Sequence, residues 1–204
     1  MISIVDYGLG NVRAFENIYR RLGISARPVS TAQQLSDATK IILPGVGAFD
    51  WAMHRLQKSG MIDTLNDLVQ NQQVPTLGIC VGMQIMTKSS DEGQSPGLGW
   101  IDADVKRFDE NLFNQRTHLP HMGWNDVETE IACPLFSGID NPLYYFLHSY
   151  YLEPKNHAEV VGYATYGKRF ACAIASENVY ATQFHPEKSH EWGIRLLRNF
   201  AELC

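Results

Sequence analysis

The sequence predicts an α/β fold with a mostly parallel central sheet flanked by helices, and with antiparallel strands added in its second half. Three observations carry that prediction. Short apolar runs alternate with helix-spaced stretches from residue 2 to residue 88, the rhythm of a parallel sheet covered on both faces. After Lys88 the helical spacing stops and strand-like runs separated by turns take over. Between the halves lies VPTLGICVGMQIMTK, residues 74–88: an apolar run, a glycine-flanked corner carrying Cys80, and a stretch with helical spacing.

In chain order, Ile2–Val5 is the first strand. Asp6-Tyr7-Gly8-Leu9-Gly10-Asn11 breaks it, and Val12, Phe15, Ile18, Tyr19 and Leu22 follow at helical spacing until Gly23 stops the helix. The loop glycines do not make a dinucleotide fingerprint. G-x-G-x-x-G needs glycine where Arg13 stands, and no acidic residue lies about 20 positions on. Residues 26–29 read as a second strand, and Ser30-Thr31-Ala32-Gln33 as a capping box opening a short helix. Residues 40–43 are a buried strand running into Pro44-Gly45-Val46-Gly47-Ala48-Phe49. Its two glycines let backbone N–H groups face an oxyanion or a phosphate, or simply turn the chain into a helix. Trp51, Met53, Leu56, Ile62, Leu65, Leu68 and Val69 read as core-facing helical positions.

The second half opens with a polar loop at 89–99. Strands are predicted at 101–108, 124–128, 144–152, 160–165, 170–175 and 179–184, with turns at Glu153-Pro154, Tyr166-Gly167 and Glu177-Asn178. Trp192, Leu196, Leu197 and Phe200 mark a final helix behind Ser189 as a cap. With 204 residues and no linker or repeat, one domain over 1–204 is expected.

Composition narrows the function. A chain 45% hydrophobic and 19% charged is ordinary globular composition, and a net charge of −5 argues against a general nucleic-acid or anionic-membrane binder. No run approaches the roughly 18 apolar residues of a membrane span. MISIVDYGLGN has no basic region before its apolar stretch and reads as a strand, not a signal peptide. Cys80, Cys133, Cys172 and Cys204 are scattered without a C-x-x-C pair, which fits a reducing, cytoplasmic setting better than two disulfides.

Cys80 is the first candidate for chemistry. Gly78-x-Cys80-x-Gly82 leaves room for a nucleophile on a sharp strand-to-helix turn, and a helix N-terminus beside the sulfur favours thiolate. Between Ile79 and Val81, the same residue reads equally as a small buried hydrophobe. A nucleophile needs a base and an orienting group. Of His54, His118, His121, His148, His157, His185 and His190, most fall in exposed-looking or turn contexts. His185 differs, because it ends an apolar strand in Gln183-Phe184-His185-Pro186-Glu187. Two residues apart, His185 and Glu187 can project the same way, and a carboxylate beside an imidazole fixes its tautomer. No metal or cofactor is expected: H-x-x-x-H and paired cysteines are absent, and His118-x-x-His121 has no acidic or thiol partner nearby.

The G-x-C-x-G corner, the late His-Pro-Glu and the early Pro-Gly-Val-Gly together resemble class I, triad-type glutamine amidotransferases. DYGLGN (6–11), LPGVGAF (43–49), LGICVGMQ (77–84), LPHMGWN (119–125), YYFLHSYY (144–151) and QFHPEKS (183–189) resemble more narrowly the HisH-type glutaminase subunits of imidazole glycerol phosphate synthase. The resemblance implies a flavodoxin-like amidotransferase sheet and a Cys80–His185–Glu187 triad. It implies an oxyanion hole from Val46, Gly47 and Val81, and glutamine held by Gln84, Glu92, Ser149 and Tyr150. It further implies a heterodimer with a (β/α)8-barrel cyclase subunit, HisF-type, docking through Asn11, Met122, Trp124, Tyr145 and Lys188. Ammonia would pass to that partner, which makes imidazole glycerol phosphate and the aminoimidazole carboxamide ribonucleotide. Residues 92–105 and 187–190 also resemble paralogues thought to supply ammonia for sugar amidination in surface-polysaccharide synthesis. A stand-alone cysteine hydrolase is the alternative of another class, and a non-catalytic regulator retaining the fold a further one.

Overall fold

The computed structural model describes residues 1–113, 118–129 and 131–204. The first half alternates β1 (Ile2–Val5), α1 (Val12–Leu22), β2 (Ala26–Val29), α2 (Ala32–Leu35), β3 (Lys40–Gly45), α3 (Phe49–Lys58), α4 (Ile62–Asn66), β4 (Thr76–Cys80) and α5 (Val81–Ile85). The second half is strand-rich: β5 (Ser89–Ser90), β6 (Ala103–Arg107), β7 (His121–Asp126), β8 (Leu143–His148), β9 (Tyr150–Pro154), β10 (Val160–Tyr166), β11 (Lys168–Ser176) and β12 (Val179–Thr182). Helix α6 (His190–Leu203) comes last.

Ten strands form one sheet in the order β2-β1-β3-β4-β12-β11-β9-β6-β5, with β10 against β11. The β2-β1-β3-β4-β12 half is parallel, and the pairings of β11 with β12, β10 and β9 and of β9 with β6 are antiparallel. Strands β7 and β8 form a separate antiparallel pair. This is the mixed sheet expected from the sequence. β1 and β4 are buried at every position, as strands covered on both faces must be, which is why they read as unbroken apolar runs.

The parallel register positions the future site. β12 lies beside β4 with Thr182 opposite Ile79, and β3 lies on the other side with Gly45 opposite Cys80. The chain leaving β3 at Val46, the corner at Cys80 and the chain leaving β12 toward His185 therefore emerge side by side at one edge, where sites in such sheets gather. The approach of β3 to α5 is close. A Cβ on Gly82 would sit 1.9 Å from the carbonyl oxygen of Leu43, and one on Gly45 2.4 Å from the amide of Gly82. A Cβ on Gly78 would strike the Met86 side chain first, with the Met83 backbone at 3.0 Å. The need for glycine at 82 thus comes from the neighbouring strand, not from space beside the sulfur.

Several expectations are corrected. The helix after Cys80 stops at Ile85 instead of continuing toward Lys88. Met86 and Thr87 close tighter bonds to the carbonyls of Met83 and Gln84, the Thr87 hydroxyl takes the Gln84 carbonyl at 2.8 Å, and Lys88 already donates to Ala103. The strand expected over 144–152 is two strands, because the chain changes sheets at Ser149, from the β7–β8 pair to the main sheet. The cap of α2 is Thr31, whose hydroxyl accepts from the amide of Gln34, while Gln34 accepts from the amide of Ser30. Ser189 stands at the start of α6 without capping it, since its hydroxyl donates to the carbonyl of His185 at 2.6 Å. Trp51 is not core: it is 52% exposed.

No helix among the described residues is long and apolar enough to cross a membrane. The glycine contacts give a stability test. Gly82→Ala should cost about 3 kcal/mol or more by driving a Cβ into fixed backbone. Gly99→Ala, at φ +72° with open space around it, should cost only about 1–2 kcal/mol. Chemical denaturation of the two variants checks the order.

Candidate active site

At the shared strand edge lies a pocket of about 280 Å³, lined by Val46, Gly47, Cys80, Val81, Gln84, Glu92, Pro120, Leu147, His148, Ser149, Tyr150, His185 and Lys188. A cavity of about 580 Å³ beside α6, between Gly138 and Arg195, includes none of these residues. The pocket thus brings together all three expected oxyanion residues, all four expected glutamine-binding residues, Cys80 and His185.

Cys80 ends β4 at φ +55° and ψ −114°, a backbone conformation that costs about 1–3 kcal/mol and persists only when its surroundings enforce it. The enforcement is the clamp of Gly82 against Leu43. The corner lifts the side chain out of the sheet, where Gln183 donates its side-chain amide to the sulfur at 3.8 Å. Gln183 in turn accepts from Gln84 at 3.1 Å, so Gln84 serves this network as well as the pocket wall. With α5 only five residues long, the backbone field at Cys80 is small, and the positive charge facing the sulfur is that of His185.

His185 lies beyond the end of β12, which stops at Thr182, two residues short of expectation. Its Nδ1 meets Glu187 Oε1 at 2.9 Å across a tight turn at Pro186–Lys188, with both side chains almost wholly buried. Pro186 opens that turn, so the pair meets across a turn and not along one face of a strand. Tyr145 clamps the turn from β8: its carbonyl accepts from the His185 amide at 2.9 Å and its amide donates to Ser189 Oγ at 3.0 Å. Burial opposes charge on His185, but the Cys80 sulfur and the Glu187 carboxylate outweigh it and push the imidazole up to about 10. The second carboxylate oxygen of Glu187 is buried without a partner among the described residues, which leaves His185 as the group that compensates the charge.

Val46 and Gly47 leave β3 exposed at the pocket wall, and Gly47 adopts φ +93°. Behind them, α3 is braced to the loop carrying Glu92. The Glu92 carboxylate accepts from the amide of Phe49 at 2.8 Å. In return Asp50 accepts from the amides of Gln94 and Ser95, bonds that hold its carboxyl below the usual carboxylate range. The 46–49 segment and the 92–95 loop are therefore tied in both directions. Spacing in the sequence gave no sign of this brace.

The expected interface residues fall outside the pocket or on its rim. Asn11 and Lys188 are exposed. Met122 (65% exposed), Trp124 and Tyr145 occupy one face of the β7–β8 hairpin, where Trp124 pairs across from Tyr145 and Met122 from Leu147. Lys188 sits over the Tyr145 ring at 5.7 Å. Leu147, exposed and on the pocket rim, belongs to this face too. Its alternation with Tyr145 along one strand was the available signal. Two histidines grouped with the exposed ones are instead buried: His121 and His148 face each other across the hairpin. Among the described residues no cluster of three or more His, Cys, Asp or Glu is arranged to hold a metal ion, and all four cysteines are free.

A cysteine facing a histidine–glutamate pair at the edge of this sheet is the arrangement expected of a triad-type amidotransferase site. The family model for class-I glutamine amidotransferases matches residues 3–203, and the chain belongs to that family. Over the full length of both chains it is 53% identical to the imidazole glycerol phosphate synthase subunit HisH of Bdellovibrio bacteriovorus. It is 48% identical to that of Leptospira interrogans and 43% to subunit HisH 2 of Pseudomonas aeruginosa, again over both full lengths. Within the family it therefore groups with the HisH-type subunits. A solved glutamine amidotransferase superposes with TM-score 0.76 at 23% identity, covering 98% of this chain and 97% of that one. PurLQS from Thermotoga maritima gives 0.75 at 16%, covering 98% and 96%, and shares the fold.

The charge on His185 is testable. Its ordinary value is 6.5, so the native state holds this proton more tightly than the unfolded chain. The contact stabilises the fold fully below about pH 6.5, and that contribution is lost as the pH rises through about 10. In a ¹⁵N NMR titration, His185 should remain imidazolium through neutral pH, and Glu187→Gln should bring its midpoint down. A neutral His185 ring at pH 7 in the native chain would contradict this.

Proposed function

We propose that the chain acts as one glutamine amidotransferase domain over 1–204, hydrolysing glutamine to glutamate and ammonia. The observation that carries the reading is the buried His185–Glu187 contact at 2.9 Å, set against Cys80 inside a walled pocket. The Cys80 thiolate attacks the γ-carboxamide carbon, and the carbonyl electrons move onto oxygen. As the C–N bond breaks, His185, already carrying a proton, passes it to the departing ammonia and leaves a γ-glutamyl thioester. Neutral His185 then takes a proton from water. The hydroxide adds to the thioester, the C–S bond breaks, and glutamate leaves. Glu187 keeps Nδ1 engaged, so that Nε2 is the nitrogen that exchanges protons.

The oxyanion formed in both steps would be met by backbone N–H groups of Val46 or Gly47 and of Val81, each such donor contributing roughly 3–4 kcal/mol. The Glu92 carboxylate suits the α-ammonium of glutamine, with Gln84, Ser149 and Tyr150 completing the pocket. Ammonia becomes ammonium in open water, so a useful glutaminase of this kind discharges into a docked acceptor. The acceptor we propose is a (β/α)8-barrel cyclase subunit in the cytoplasm, forming imidazole glycerol phosphate and the aminoimidazole carboxamide ribonucleotide. The names borne by relatives at 43–53% identity support it. The apolar hairpin face with Met122, Trp124 and Tyr145, flanked by Lys188 and joined by Asn11, is the proposed docking surface, since exposed aromatics dominate interface hot spots.

Cys80→Ala should abolish glutamine-dependent synthesis by the assembled pair while added ammonia still supports the cyclase; unchanged glutamine use would refute the nucleophile. Glu187→Gln should lower turnover by about 10²–10⁴-fold. The isolated chain should turn glutamine over weakly and be strongly activated by the ligand-loaded cyclase, whereas full turnover alone would indicate a stand-alone hydrolase. Expression in a strain lacking its own glutaminase subunit should restore growth without histidine. Failure with a soluble, folded protein would move the acceptor to sugar amidination.

A further inference from the structure

The steps above make no use of His121 and His148, both buried, His148 in the pocket wall and His121 against it. His148 ends β8, and its Nδ1 lies 2.7 Å from the carbonyl oxygen of Tyr150, across the Ser149 bend. Its Nε2 lies 2.9 Å from Nδ1 of His121, whose Nε2 meets the side-chain amide of Asn125 at 3.3 Å. Asn125 also donates to the carbonyl of Thr165 at 2.9 Å. A carbonyl only accepts, which fixes every proton in the chain. His148 carries its hydrogen on Nδ1 and accepts at Nε2. His121 donates from Nδ1 and accepts at Nε2, and Asn125 supplies both remaining hydrogens.

We propose that Asn125, His121 and His148 are positioning residues, a one-directional hydrogen-bond chain that holds the Ser149–Tyr150 bend in the shape that receives glutamine. The proposal rests on the glutaminase reading and deepens it. The bend is where the chain passes between two sheets: Ser149 belongs to neither strand, its carbonyl accepting from the amide of Phe108 at 3.3 Å, and Ser149 and Tyr150 both line the pocket. The carbonyl of Tyr150 is fixed from two sides, by His148 and by Gln84 at 3.4 Å. A proton added to either ring would leave two donors facing each other or break the bond to Tyr150. Burial accordingly lowers His121 to about 4 and His148, with His121 adding to the effect, to about 3. Both rings are neutral at neutral pH, as the chain requires.

His121→Phe keeps the ring, which stacks on Tyr166 at 4.0 Å and Phe146 at 4.7 Å, and removes both hydrogen bonds. His121→Asn places a donor near the position of Nδ1. With a chloroketone analogue of glutamine, labelling of Cys80 in the full chain should slow by about 10-fold or more in His121→Phe, because a buried acceptor is orphaned. Labelling by iodoacetamide, which needs no glutamine pocket, should stay within about twofold, and His121→Asn should recover most of the loss. Equal slowing of both reagents would reduce the chain to a structural role, and unchanged chloroketone labelling would overturn it. Wild-type Cys80 that reacts with iodoacetamide but never with the chloroketone would overturn the glutaminase reading itself. Should His121→Phe fail to fold, ¹⁵N NMR of the wild-type chain still decides: both rings must be Nδ1–H tautomers, and Nε2–H on either overturns the proposal.

Discussion

Everything at the site depends on β4 lying in register between β3 and β12. Two parallel pairings set Gly45 beside Cys80 and Thr182 beside Ile79, and so bring residues 46, 80 and 185 to one edge although more than a hundred positions separate the last two. The close approach of β3 to α5 then holds the Cys80 corner in a conformation that an isolated chain would avoid. Stability and site geometry share the same contacts: relaxing the clamp at Gly82 would both unstrain and disperse the site.

Electrostatics at the site follow from burial. Glu187 is a nearly dry carboxylate with one oxygen on His185 and the other unpartnered among the described residues. Such a group is tolerable only beside a positive charge, and the imidazolium supplies it. His148, which lines the same pocket, and His121 take the opposite state, because their partners form an ordered chain with no place for an extra proton. Two histidine pairs in one small volume thus differ in charge through what each can donate to.

Much of the architecture was legible in the sequence. Apolar runs of four to six residues identify β1, β3 and β4, and Gly23 closes α1 with the left-handed turn its position implied. The glycines around Cys80 and the His-Pro-Glu turn were also visible, because special backbone geometry restricts residue type at a single position. What escaped was whatever depends on distant contacts. The break between β8 and β9 depends on which sheet each strand joins, and no local feature of HSYY records that. His121 and His148 looked like surface residues because their burial arises from a pairing across 27 positions. Trp51 stands about 140° around α3 from buried Leu56, off the Phe49–Ala52–Leu56 face, and stacks on His54 instead.

The brace between α3 and the 92–95 loop makes a lever of the pocket wall. Glu92 hangs from the amide of Phe49, and Asp50 holds the amides beyond Glu92, so neither segment can shift alone. In the roles proposed here, Glu92 grips the amino-acid head of glutamine, while the residues just before Phe49 must meet its far amide. The head group and the scissile end would then rest on one rigid piece of chain. A substrate lacking the α-ammonium would lose its hold on that frame, and with it the placement of its amide against the residues that polarise it.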